Sequence, residues 1–133
     1  MKGTHSVTVG NNVLQYKFEI HRNITIIKGD SATGKTTLVD MIREYYENGE
    51  HSGVTLQCDK VCAVLEGRLW KILLENIHDS IVFIDEGNAF VASDDFADAV
   101  KRSDNYYVIV TRESLPTLPY SVEEIYGVYD FLT

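Results

Sequence analysis

Apolar and polar positions alternate in two ways along this chain, and the alternation divides it into strands and helices. His5–Val9 and Val13–Ile20 alternate or nearly alternate around Gly10-Asn11-Asn12. This predicts an N-terminal β-hairpin, because a short turn able to adopt positive φ separates two β-compatible runs. Ile24–Ile27 is a short β-branched run of the kind buried on both faces of a sheet. A glycine-bearing loop follows, and then Leu38, Met41, Ile42 and Tyr45 recur at helical spacing. They predict a helix from Lys35 to Tyr46, ended by Asn48-Gly49.

Gly53–Gln57 reads as a short strand. Lys60–Ile77 reads as helix on the stripe of Val61, Val64, Leu65, Leu69, Ile72, Leu73 and Ile77, weakened at Gly67, where a division into two shorter helices is the alternative. Ile81–Ile84 and Tyr106–Val110 are further buried-strand runs. Between them Ser93 or Asp94 would cap a helix over Asp95–Lys101. Ser114–Ser121 reads as a proline-bearing loop and Ile125–Phe131 as a final strand. Such strand–helix alternation predicts an α/β fold of three layers, with a mostly parallel sheet and the hairpin beside it. The 133 residues fit one domain, with the hairpin in residues 1–22 and the remaining core in 23–133.

Gly29-Asp30-Ser31-Ala32-Thr33-Gly34-Lys35-Thr36 fits the pattern G-x4-G-K-S/T. The glycines let the backbone wrap and present N–H groups to phosphate oxygens. Lys35 supplies a point charge for the β- and γ-phosphates, and the Thr36 hydroxyl is a magnesium ligand. Thr37 follows in the same helix start, whose positive end faces the same anion. By average residue usage the pattern arises by chance in about 1 in 200 chains of this length. Here it also joins a predicted strand to a predicted helix, the context its chemistry requires. The second element is Ile81-Val82-Phe83-Ile84-Asp85-Glu86. At the end of a parallel strand Asp85 would face the ligand crevice and hold Mg²⁺, with Glu86 placed to polarise a water.

With these two elements the chain resembles the P-loop NTPase superfamily: Gly29–Thr36 looks like Walker A and Ile81–Glu86 like Walker B. The adjacent Asp-Glu resembles the branches with a catalytic glutamate, namely ABC-type, SMC-type, AAA+ and RecA-like ATPases. The hairpin before Ile24, the strand Tyr106–Arg112 and the segment Val122–Val128 resemble the ABC/SMC branch. In that alignment Arg112 stands where the branch has its switch histidine. No LSGG-like signature is present, and no guanine-reading N-K-x-D motif.

The resemblance implies binding of ATP with Mg²⁺ and slow hydrolysis. Thr111 would sense the γ-phosphate and Arg112 would neutralise transition-state charge. Arg112 equally fits a surface arginine paired with Glu113. The alternatives are a nucleotide-gated binding module with little turnover, and a small phosphotransferase. A homo-oligomer or protein partner completing the site fits the missing signature.

Twenty acidic against twelve basic residues give a net charge of −8. That disfavours nucleic acid and anionic membrane as partners. No apolar run approaches the roughly 20 residues of a membrane span, and Met1–Gly10 lacks the apolar core of a signal peptide. Cys58 and Cys62, spaced C-x3-C, read as reduced structural cysteines, which points to the cytoplasm. Tyr16 and Trp70 read as core, with adenine stacking and a partial interface as their respective alternatives.

Overall fold

A computed structural model describes residues 4–28, 35–111, 115–118, 122–126 and 130–132. The chain is mixed α/β. Strands β1 (His5–Gly10), β2 (Leu14–Ile20) and β3 (Ile24–Lys28) precede helix α1 (Lys35–Asn48). Then come β4 (Thr55–Gln57), β5 (Val61–Val64), the short helix α2 (Trp70–Glu75) and β6 (Ser80–Ile84). Helix α3 (Asp94–Arg102), β7 (Tyr106–Val110), β8 (Val122–Tyr126) and β9 (Asp130–Leu132) complete the order. No helix among the described residues is long and apolar enough to cross a membrane.

Two sheets organise these elements. One is parallel, in the order β5-β6-β7-β3-β8; the other is antiparallel, in the order β4-β1-β2-β9. The expected hairpin forms the middle of the antiparallel sheet, with His5 opposite Ile20 and Gly10 opposite Gln15. Its turn is closed by the Asn11 side chain, whose Oδ1 accepts from the N–H groups of Val13 (2.8 Å) and Leu14 (2.9 Å). Gly10 is required by contact: a Cβ there would stand 2.6 Å from the Leu14 carbonyl oxygen.

Strands β3, β6 and β7 are buried on both faces, and alternate residues feed two cores. Ile27, Ile81, Phe83, Val108 and Val110 point to one face, where α1 contributes Leu38, Met41 and Ile42 and the hairpin Val7, Val9 and Tyr16. Ile26, Val82, Ile84, Tyr107 and Ile109 point to the other, under Trp70 and Leu74 of α2 and Phe96 and Val100 of α3. Tyr16 is fully buried. Trp70 stacks on Phe90 at 5.0 Å and meets Phe96 edge-on at 5.7 Å, so both aromatic residues belong to cores. Helix α3 starts as expected: Ser93 Oγ accepts the Phe96 N–H at 3.1 Å, with acids in the first turn and Lys101 and Arg102 in the last.

Three expectations are corrected. Residues 60–77 are not one helix: Val61–Val64 is strand β5, paired in parallel with β6, and only Trp70–Glu75 is helical. Pairing buries Cys62, Ala63, Val64 and Leu65. At roughly 1.5–3 kcal/mol for a large apolar side chain, that outweighs helix-propensity differences of about 0.7 kcal/mol per residue or less. Gly67, at φ 84°, separates the two elements. Next, β4 pairs with β1 and so lies in the antiparallel sheet. Finally, the single strand expected at Ile125–Phe131 is two: β8 pairs with β3, and β9 crosses to pair with β2. The loop expected over Ser114–Ser121 is described only at residues 115–118, where the chain turns.

Asn105 ties the entry of β6 to that of β7. Its Oδ1 accepts the buried Ser80 N–H at 3.0 Å, and its Nδ2 donates to the Ile77 carbonyl at 2.9 Å. Asn105→Ala would leave both backbone groups unpaired in a buried place, so it is expected to cost about 2 kcal/mol. The urea midpoint should fall with an unchanged slope.

Candidate functional site

The carboxyl ends of three adjacent parallel strands meet at one edge of the sheet. Strand β7 lies between β3 and β6. Register places Ile27 opposite Val110 and Ile84 opposite Ile109. Lys28, Thr111 and the Asp85-Glu86 pair therefore emerge side by side. The Thr111 N–H donates to the Ile27 carbonyl at 3.1 Å, which extends the β3–β7 pairing to the last residue before the strands diverge. The chain leaves β3 towards α1 on one face and leaves β6 towards α3 on the other. Such a divergence of connections opens a crevice outside the strand ends.

Asp85 is half-buried there, at the rim of a cavity of about 360 Å³ that Glu86, Asn88, Thr111 and Leu115 also line. Burial raises the Asp85 carboxyl above the ordinary range. The Glu86 N–H, donated to Asp85 Oδ1 at 2.9 Å, opposes that rise. The Asp40 carboxylate adds to the rise and Arg43 offsets it. After the acids the chain turns sharply at Gly87, φ 95°. Asn88 fixes the turn: its Nδ2 donates to the Asp85 carbonyl at 2.9 Å, and its Oδ1 accepts the Gly67 N–H at 3.2 Å.

Lys35, Thr36 and Thr37 form the first turn of α1, whose leading N–H groups have no partner within the helix. Gly29, Asp30, Ser31, Ala32, Thr33 and Gly34 lie outside the described residues, as does Arg112. Deeper along α1, Arg43 donates through Nη1 to Asp40 Oδ1 at 2.6 Å. It also forks onto Glu66, through Nε at 3.1 Å and Nη2 at 3.0 Å. This bridge fastens α1 to the chain leaving β5. The hydrogen bond to Glu66 is the first of the causes that hold the guanidinium above its ordinary value.

A hydroxyl and a carboxylate are hard oxygen donors, the kind magnesium takes when most of its shell is phosphate and water. Among the described residues no three His, Cys, Asp or Glu side chains cluster to hold a metal by themselves. A cavity of about 560 Å³ between α2 and α3 is lined by Trp70, Leu74, Asp98 and Arg102 and includes none of the sequence-predicted site residues.

Sequence reasoning missed Asn88 and the Arg43–Glu66 bridge. The Asp-Glu-Gly-Asn order carries a turn signal that points to Asn88. Arg43 and Glu66 sit in elements with no local link. Comparison with protein-family models, curated proteins and solved structures finds no match for the chain.

Because burial raises Asp85, the folded chain holds that proton more tightly than the unfolded chain does. Ionised Asp85 then weighs against folding as the pH climbs past the ordinary carboxylate value. Asp85→Asn keeps the acceptor for Glu86 and removes the charge. Without nucleotide it is expected to unfold at higher urea than the wild type at pH 7, with the gap closing below about pH 4. Urea titrations at the two pH values check this.

Proposed function

We propose that the chain binds ATP with magnesium in the crevice at the carboxyl ends of β3, β7 and β6, and hydrolyses it slowly. Within that reading the fold is the three-layer α/β/α arrangement of P-loop NTPases, and the setting is cytoplasmic. One observation carries it. The strand that leads into Gly29–Thr36 and the strand that ends in Asp85-Glu86 are separated by a single strand ending in Thr111, and all three run in the same direction. The end of the strand before Gly29–Thr36, an acid pair and a polar residue therefore share one edge, although they stand far apart in sequence.

The residues divide the work by their chemistry. The N–H groups of residues 29–34 and the Lys35 ammonium would cradle the β- and γ-phosphates. Thr36 and Asp85 would hold the magnesium, which when bound neutralises phosphate charge. Glu86, beside Asp85 and on the cavity wall, would orient the attacking water. Thr111 would bond the γ-phosphate, and Arg112, the next residue, would balance charge as the bond to the leaving phosphate stretches. Without an LSGG-like segment the chain does not itself supply what closes the crevice. A second copy or another protein fills that role in this reading.

Phosphate release from Mg²⁺ATP at several protein concentrations tests the proposal, with Lys35→Ala as the blank. Lys35→Ala should lose ATP binding. Glu86→Gln should keep it while turnover falls about 100-fold or more. Turnover per molecule that rises with protein concentration would show that copies complete each other's site. Unchanged ATP binding in Lys35→Ala would overturn the reading.

A further inference from the structure

The link from β4 to β5 brings two thiols to one hollow. Cys58 directly follows β4 and is half-buried; Cys62 is the second residue of β5 and is 3% exposed. Asp59 and Lys60 bend the chain between them. Both cysteines are free, and both line a cavity of about 410 Å³ that Tyr45 and Tyr46 of α1 also line.

The charged neighbours are already engaged. Both Asp59 oxygens lie 2.9 Å from His5 Nδ1, and Lys60 pairs with Asp79. Cys58 Sγ stands 3.8 Å from Asp59 Oδ1, and Cys62 Sγ stands 3.8 Å from the Lys60 carbonyl. The two thiols are unequal. The neighbouring Cys62 thiol brings Cys58 down to about 7, against the opposing effect of burial. The same interaction, together with burial, pushes Cys62 up. At neutral pH one sulfur is therefore a ready nucleophile, and its neighbour is a protonated partner. A pair that only filled space would need neither the asymmetry nor the opening to solvent.

We propose that Cys58 and Cys62 are a modification site for small hydroperoxides, which convert the pair to an intramolecular disulfide. The Cys58 thiolate attacks one peroxide oxygen; the S–O bond forms and the O–O bond breaks. With hydrogen peroxide the leaving hydroxide takes up a proton to become water, an alkyl hydroperoxide releasing its alcohol instead, and Cys58 becomes a sulfenic acid. Cys62 then gives up its proton and attacks the Cys58 sulfur. The S–S bond forms, the S–O bond breaks, and water leaves. Two thiols lose two electrons and the peroxide gains them. The product ties the residue leaving the antiparallel sheet to a strand of the parallel one. This site stands independently of nucleotide.

The test is hydrogen peroxide on the full chain at pH 7, read by intact mass and by iodoacetamide labelling. The wild type should lose two hydrogens in mass, label at neither cysteine, and recover both labels after dithiothreitol. Cys62→Ser should stop at a Cys58 sulfenic acid that dimedone traps, with folding checked by circular dichroism. Cys62→Ala serves if the serine variant unfolds. Three results in the wild type would overturn the proposal: both thiols still labelled, oxygen added to Cys58 with no internal disulfide, or chains joined to one another through Cys58. The wild-type result decides even if no variant folds.

Discussion

Strands β3, β6 and β7 are covered on both faces, and the rest of the structure depends on that double burial. A strand with no solvent face can satisfy its backbone only through neighbours, so every N–H and C=O must find a partner along the edge. The neighbours are other parallel strands, and parallel strands require crossovers long enough to hold helices. Helices α1, α2 and α3 are those crossovers, and their apolar sides seal the faces that made them necessary. Asn105 finishes the pairing at the entry to the sheet, where β6 and β7 begin.

The same constraint decides where polar chemistry can sit. The buried positions of these strands carry no charged side chain: beyond the tyrosines of β7, Thr25 and Ser80 are the only polar residues there. Carboxylates appear at the first position past β6, where the chain emerges. Asp85 is half-buried because it stands at that boundary, and its raised affinity for a proton follows from the boundary too. Arg43 then serves a double purpose. It pins α1 to the end of β5, and it supplies positive charge near a group of acids that would otherwise repel one another.

The elements that were legible in the sequence are those whose signal is local. The hairpin announced itself by alternation around Gly10-Asn11-Asn12, and α3 by Ser93 with acids behind it. Ile81–Ile84 and Tyr106–Val110 are apolar runs too short for helices. Strand β5 was not legible, because Val61, Val64 and Leu65 satisfy helical spacing while β6, the strand that selects the extended form, lies outside the window. The division of the last strand was hidden for the same reason: β3 and β2, which take its two parts, lie far outside the window. At the candidate site, Asp85 and Glu86 were readable as acids ending an apolar run. The Arg43–Glu66 bridge joins elements that only the fold brings together, so no pattern of spacing could reveal it.

The antiparallel sheet sets an order on assembly. Strand β2 has β1 on one side from the outset, but its other side is matched by β9, with Leu14 opposite Leu132. Contacts between segments so distant in sequence carry a loop-closure cost and form late. As the chain emerges from the ribosome, the hairpin is complete early, yet one edge of β2 keeps its N–H and C=O groups exposed until β9 has been made. An open strand edge is a template for pairing with other chains. That edge is therefore a liability during synthesis, and its Leu14–Tyr16 part closes when the three-residue β9 docks there.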